Sequence, residues 1–207
     1  MTNRTATRPR RRSDGERTHA AILEAATRLA SVEGVFGLTI GRLAETLGVS
    51  KSGLYAHFGS KEQLQLETIE AAKTIFEEEV MRRALEAPPG LPQLDAIVDG
   101  FFSYVERGVF PGGCFFADLL AEADARGGPI HDAAAAWERE SLDSLAAPVM
   151  EAQRTGQVTL DVDAQQVAFE LYACMELANY HFVLFRDPGV LERGRRAIRG
   201  IIDRARI

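Results

Sequence analysis

Cysteine is nearly absent from this 207-residue chain. Cys114 and Cys174 stand far apart, outside any Cys-x-x-Cys or Cys/His spacing, so neither a disulfide framework nor a zinc site is indicated. Long hydrophobic runs are missing as well: charge or glycine breaks every apolar stretch before bilayer-spanning length. The Arg- and Thr-rich start, Met1 to Arg12, is not followed by the apolar segment of a secretory signal. Together these absences predict a cytoplasmic protein with no membrane partner. Catalytic signatures are equally scarce. The sequence has no His-Glu-x-x-His, no Gly-x-Ser-x-Gly elbow, no phosphate loop and no two copies of Glu-x-x-His. His131-Asp132 and the neighbours Glu176 and His181 are coincidences of spacing. No enzyme activity, cofactor or metal is therefore expected.

Positive charge is in deficit over the whole chain, 24 Lys+Arg against 30 Asp+Glu for a net −6, but it is unevenly spread. Residues 1–61 hold ten bases and five acids, and the remainder is strongly acidic. A cationic module on an acidic body suits a nucleic-acid contact confined to one end, because phosphate attraction needs positive charge only where the surface meets the duplex. With 46% hydrophobic residues the chain is globular and long enough to bury a sizeable core. The segment 1–14, with Arg4, Arg8, Arg10, Arg11 and Arg12 around Pro9 and almost nothing apolar, is expected to be a mobile basic arm. It is either a plain tail or an arm for a flanking minor groove.

The remaining pattern is helical throughout, without internal repeats, and predicts an all-α fold. Ile22, Ala25, Ala26, Leu29 and Ala30 mark one amphipathic helix that stops near Gly34. Ile40, Leu43, Ala44 and Leu47 mark a short second helix, with Thr39 as N-cap and Gly48 as stop. Ser50 caps a third, in which Leu54 and Phe58 share one face while Lys51, Ser52 and Tyr55 share another. Ser60 and Gln63 open a fourth, with an apolar line through Ile69, Ala72, Phe76 and Val80. The alternation Val158, Leu160, Val162 is too short to be more than a connection. Two short helices around Gly48-Val49-Ser50 form a helix-turn-helix whose second helix is free on one side, which points to DNA.

Leu38 through Leu64, LTIGRLAETLGVSKSGLYAHFGSKEQL, resembles the DNA-binding signature of the TetR family of transcriptional regulators. The resemblance covers the first third of the chain. It implies a helix-turn-helix DNA-binding domain at 15–61 and a helical regulatory and dimerisation domain at 62–207. It also implies a homodimer on a palindromic double-stranded DNA operator and a small-molecule effector, mainly apolar or aromatic, bound in the body. The function implied is that of a ligand-responsive regulator, a repressor in the favoured reading. Matching positions for DNA contact are Ser50, Lys51, Ser52, Gly53, Tyr55 and His57, with Thr39 and Lys61 toward phosphates, and Arg42 is a further DNA-contact candidate. His57 serves either as a local cap or as a phosphate contact.

In the body, Phe101, Phe102, Tyr104, Phe116, Trp137, Tyr172 and Met175 are candidate pocket residues, with Asn179 and His181 as polar handles. The stretch 164–185 is apolar nearly all round, so one core cannot cover it. Val167, Leu171, Cys174, Ala178, Phe182 and Phe185, with Leu191, Ile198, Ile201 and Ile202 on the last helix, are expected to pair with a second copy as a four-helix bundle. The competing readings are an all-α enzyme and a helix-turn-helix module used only for protein assembly.

Overall fold

Each short N-terminal helix is bounded where its capping residues dictate. The structure, a computed structural model, describes residues 10–206. Helix α1 (Arg10–Glu33) ends at Gly34, whose φ of +80° suits glycine alone. Helix α2 (Ile40–Leu47) begins on Thr39, whose hydroxyl accepts the Arg42 N–H, and helix α3 (Lys51–Phe58) begins on Ser50, which accepts from Gly53 N–H. Helix α4 (Lys61–Phe76) begins on Ser60, which accepts from Gln63 N–H. The return half of that capping box is not made, because the Gln63 side chain donates forward to Glu67 instead.

The body consists of α5 (Arg82–Glu86), α6 (Leu91–Glu106), α7 (Phe115–Ala123), α8 (Pro129–Arg154), α9 (Ala164–Phe185) and α10 (Gly189–Ala205). Among the described residues there is no strand. Val158 makes only an isolated antiparallel bridge with Arg206. No helix is long and apolar enough to cross a membrane among the described residues.

Between α4 and α5 the chain makes a π-helical turn, Glu77–Met81, in which Arg82 N–H reaches the Glu77 carbonyl. Sequence periodicity explains it. The apolar positions 72, 76, 80 and 84 recur every four residues, more than the 3.6 of an α-helix, and a wider turn absorbs the excess. Val80 and Ala84 consequently stay buried against α6. Gly100 of α6 permits the close approach: a Cβ there would lie 2.9 Å from the Val80 carbonyl oxygen.

The arm expected over 1–14 is helical from Arg10 onward. Arginine is a good helix former, and extending a nucleated helix costs little. Residues 1–9, with Arg4 and Arg8, lie outside the described residues. The core runs without a break from Ile22 on α1 to Ala205 on α10, and α4 belongs to both ends of it.

Candidate functional site

Two regions gather the sequence candidates. At the tip, α2 and α3 pack through Leu43, Ala44, Leu54 and Phe58, all buried. Gly48 (φ +65°) closes α2 with its N–H directed at the Ala44 and Glu45 carbonyls, and the tight turn aims α3 outward. Ser50, Lys51, Ser52, Gly53, Tyr55 and His57 are therefore exposed on one short helix, Tyr55 at 58%. The Lys51 ammonium lies over Gly41 of α2, at about van der Waals distance from where a side chain there would begin. Lys51 and Ser52, both exposed, bring an ammonium and a hydroxyl to the start of α3, donors of the kind a phosphate oxygen accepts.

Three candidates hold the tip together from within. Thr39 caps α2. The Arg42 guanidinium is clasped by Glu33, with Nε–O distances of 2.9 and 3.0 Å, and also contacts Glu45 at 3.3 Å. Those hydrogen bonds and charges hold Arg42 protonated more firmly than usual and pull the Glu33 carboxyl below its ordinary range. Lys61 Nζ donates to the Phe36 carbonyl at 2.8 Å. Gln65, buried, donates to the carbonyls of Val35 and Leu38, and Glu122 of α7 accepts the Phe36 N–H at 3.0 Å. The Arg126 guanidinium covers the Phe36 ring. The loop that sets Thr39 is thus gripped from α4 and from α7. His57 lies 5.8 Å, ring to ring, from His19, whose Nε2 is 2.7 Å from Glu67 on α4.

In the body a narrow cavity of about 30 Å³ lies among α4, α6, α8 and α9. Of the sequence candidates, Phe101, Trp137, Tyr172 and Met175 line it. Phe116 backs it by stacking on Trp137 with centroids 3.5 Å apart. Tyr104 packs edge-on to Phe76 and accepts the Phe115 N–H. The other three candidates point elsewhere. Phe102 faces α10, under Arg195 and against Gly194. Asn179 accepts the Cys114 N–H at 2.9 Å and so fixes the loop before α7. His181 lies on the outer groove between α9 and α10, its ring against Phe185.

Sequence reasoning missed Phe76, Met81, Ser141, Ser144 and Leu145 as cavity walls, and above all Glu176. The signal was present but unspecific. Trp137, Ser141, Ser144 and Leu145 share a face at i, i+4, i+7 and i+8, and Glu176 follows Tyr172 by four. Burial first, then Glu138 and Asp118, push the Glu176 carboxyl up to about 8. Asp118 is itself raised to about 6 by burial and by Glu122. Burial also raises the Cys114 thiol, so it is an inert proton-bearing group rather than a nucleophile. Among the described residues no cluster of side chains is fit to hold a metal ion.

The expected pairing face divides in two. Val167, Leu171, Ala178, Leu191, Ile198, Ile201 and Ile202 are buried within a single chain, because the regular stripe of α9 faces its own core. Cys174 and Phe182 are half-buried and Phe185 is exposed. The outward apolar surface is instead Phe169, Leu177, Leu184 and Phe185, 57–72% exposed, with His181 and Val190 beside it.

Comparison with known proteins agrees with this geometry. The family model "Tetracyclin repressor-like, C-terminal domain" matches residues 90–198, and "Bacterial regulatory proteins, tetR family" matches residues 22–68. The HTH-type transcriptional repressor AcnR of Corynebacterium efficiens is 40% identical over 75 residues, 32% of this chain and 40% of that protein. The HTH-type transcriptional regulator LmrA of Bacillus subtilis is 37% identical over 60 residues, 28% of this chain and 32% of that one. The chain thus matches less than half the length of either curated relative. A TetR transcriptional regulator from Chloroflexus aurantiacus superposes with a TM-score of 0.83 at 26% identity, over 92% of this chain and 95% of that one. AibR, solved in complex with isovaleryl coenzyme A and operator DNA, is alike in fold: TM-score 0.68, 23% identity, over 90% and 97% of the two chains.

Proposed function

The chain belongs to the TetR family of bacterial regulatory proteins, and from that premise we propose that it works as a dimeric transcriptional repressor whose operator affinity is set by a small molecule in the body. One observation carries the reading. Helix α3 is anchored by Leu54 and Phe58 and offers Lys51, Ser52 and Tyr55 to solvent at the N-terminal end of the helix. A helix so presented fits the major groove, with Gly53 permitting close backbone approach and Thr39, Ser50 and His57 at its flanks. Arg42 and Lys61 contribute by holding the loop, and reach phosphates only by giving up Glu33 and Phe36.

The head in this reading is 15–61 and the body 62–207. The outward strip Phe169, Leu177, Leu184 and Phe185, with Phe182 and Cys174 at its margin, supports a twofold pairing of α9 and α10. Two heads then face half-sites one helical turn apart, about 34–36 Å, or a multiple of it. The cavity is the effector site, with Phe101, Trp137, Tyr172 and Met175 as contacts. Its walls reach the heads by two routes. Phe76 and Met81 flank the π turn that continues α4, and Phe116 stands at the start of α7, whose Glu122 holds Phe36. A ligand that favours one head separation shifts the population by that difference in affinity. The fold accommodates this pairing of ligands, since AibR is known with both a small molecule and operator DNA.

The test is selection from random duplexes by the full chain, followed by titration of the winner. The reading expects an inverted repeat bound with a steep salt dependence, weakened in Lys51→Ala and Tyr55→Ala. No enrichment, or enrichment untouched by both variants, refutes it.

A further inference from the structure

The chemistry of the cavity narrows the class of effector, given the effector site proposed above. Its walls combine the aromatic side chains Phe76, Phe101, Trp137 and Tyr172 with a single ionisable carboxyl, Glu176, and the hydroxyls of Ser141 and Ser144. No Lys, Arg or His lines it among the described residues. The acidic groups around it come from three helices: Glu138 on α8, Asp118 on α7 and Glu176 on α9. The other titratable groups facing Glu176 are neutral, namely Tyr104 on α6, Cys114 before α7, and Tyr172 and Tyr180 on α9. Burial above all holds all four protonated, followed by Cys114 for Tyr104 and by Glu176 for the other three. Independently of Glu176, the buried Oε2 of Glu138 has no hydrogen-bond partner. The Tyr172 hydroxyl is the side-chain donor to this carboxylate, so one oxygen is left short, a deficit that a proton or a cation relieves.

We propose that the effector is an amine: a small, mostly apolar or aromatic molecule whose ammonium group pairs with Glu176 while ring faces of Trp137, Tyr172 and Phe76 surround it. An ammonium gains both an ion pair and cation–π attraction there. A carboxylate or phosphate meets like charge, with no guanidinium or ammonium to receive it. At about 30 Å³ the cavity is far below the usual 300–1,000 Å³ of a ligand pocket, so binding must move a wall. Met81 and Phe76, at either end of the π turn, are the walls able to yield, methionine by its flexibility and the turn by its departure from regular α-helical bonding. Effector size and head position are thereby linked through one element. Pairing also releases the proton Glu176 holds near neutrality, so affinity rises about tenfold per pH unit up to about 8.

Trp137 is the only tryptophan of the chain, so its fluorescence reports on this site alone. The experiment titrates the full chain with three probes of one skeleton: 3-phenylpropylamine, 3-phenylpropanol and 3-phenylpropionate. The amine is expected to bind at least tenfold tighter than the other two at pH 8 and to lose that advantage in Glu176→Gln. Glu138→Gln, also checked for cooperative melting, should reduce the preference in part. Equal or tighter binding of the alcohol or the carboxylate, no response to any probe, or a preference surviving in Glu176→Gln overturns the proposal. Operator binding is measured separately. Amine binding that leaves DNA affinity unchanged contradicts the regulatory reading alone, and DNA binding by a chain that ignores the amine contradicts the amine site alone.

Discussion

Lys51 and Tyr55 are available to a partner because Leu54 and Phe58, one turn apart on the same helix, take the buried face. The two pairs therefore separate stability from recognition. Lys51→Ala should leave the melting temperature nearly unchanged while weakening DNA binding and lowering the salt slope by about one, as read by titration at several salt concentrations. Leu54→Ala should cost about 2–5 kcal/mol of stability in chemical denaturation and lose binding only by unfolding the head. Glu176 gives a prediction in pH. Its folded pKa of about 8 lies above that of an unfolded glutamate, so its contribution is fully present at low pH and is lost as pH rises toward 8. Thermal melts should show Glu176→Gln gaining on the parent from about pH 5 to 8 and then holding a constant advantage. These roles differed in legibility. The spacing of Lys51, Leu54, Tyr55 and Phe58 on an eight-residue helix leaves one division of faces, whereas Glu176 is one acid among many whose burial depends on partners from other helices.

Helix boundaries were legible because caps act locally. Thr39, Ser50 and Ser60 each accept a backbone N–H of their own first turn, and Gly34 and Gly48 adopt the positive φ that stops a helix. Thr39→Ala should therefore cost about 1 kcal/mol and slacken α2. The π turn was not legible, since a four-residue apolar repeat also fits an ordinary helix with a drifting face. Contacts between distant elements were equally hidden. Gly112 lies against the Ser31 carbonyl at the end of α1, where a Cβ has no room. Gly112→Ala should destabilise by about 1–3 kcal/mol and, by prying the α6–α7 loop from α1, alter the response of the heads to effector more than their intrinsic DNA affinity. Equal loss of both in DNA titrations with and without effector would show that this contact carries no signal.

At the scale of the whole molecule, the sequence announced that 164–185 has too much apolar surface for one core, but not which face is inside. The regular stripe through Val167, Leu171 and Ala178 packs inward, and the less regular set Phe169, Leu177, Leu184 and Phe185 is left facing solvent. Leu184→Glu should therefore yield a well-folded monomer by light scattering at micromolar concentration and weaken operator binding with it. The central claim is that two identical reading helices, held at a fixed separation, engage one palindrome. Its most direct measurement compares affinity for the selected inverted repeat with affinity for the same half-sites carrying five extra base pairs between them. That insertion turns one half-site about half a helical turn away. The account predicts a fall of at least 100-fold toward non-specific binding; equal affinity for the two duplexes would contradict it.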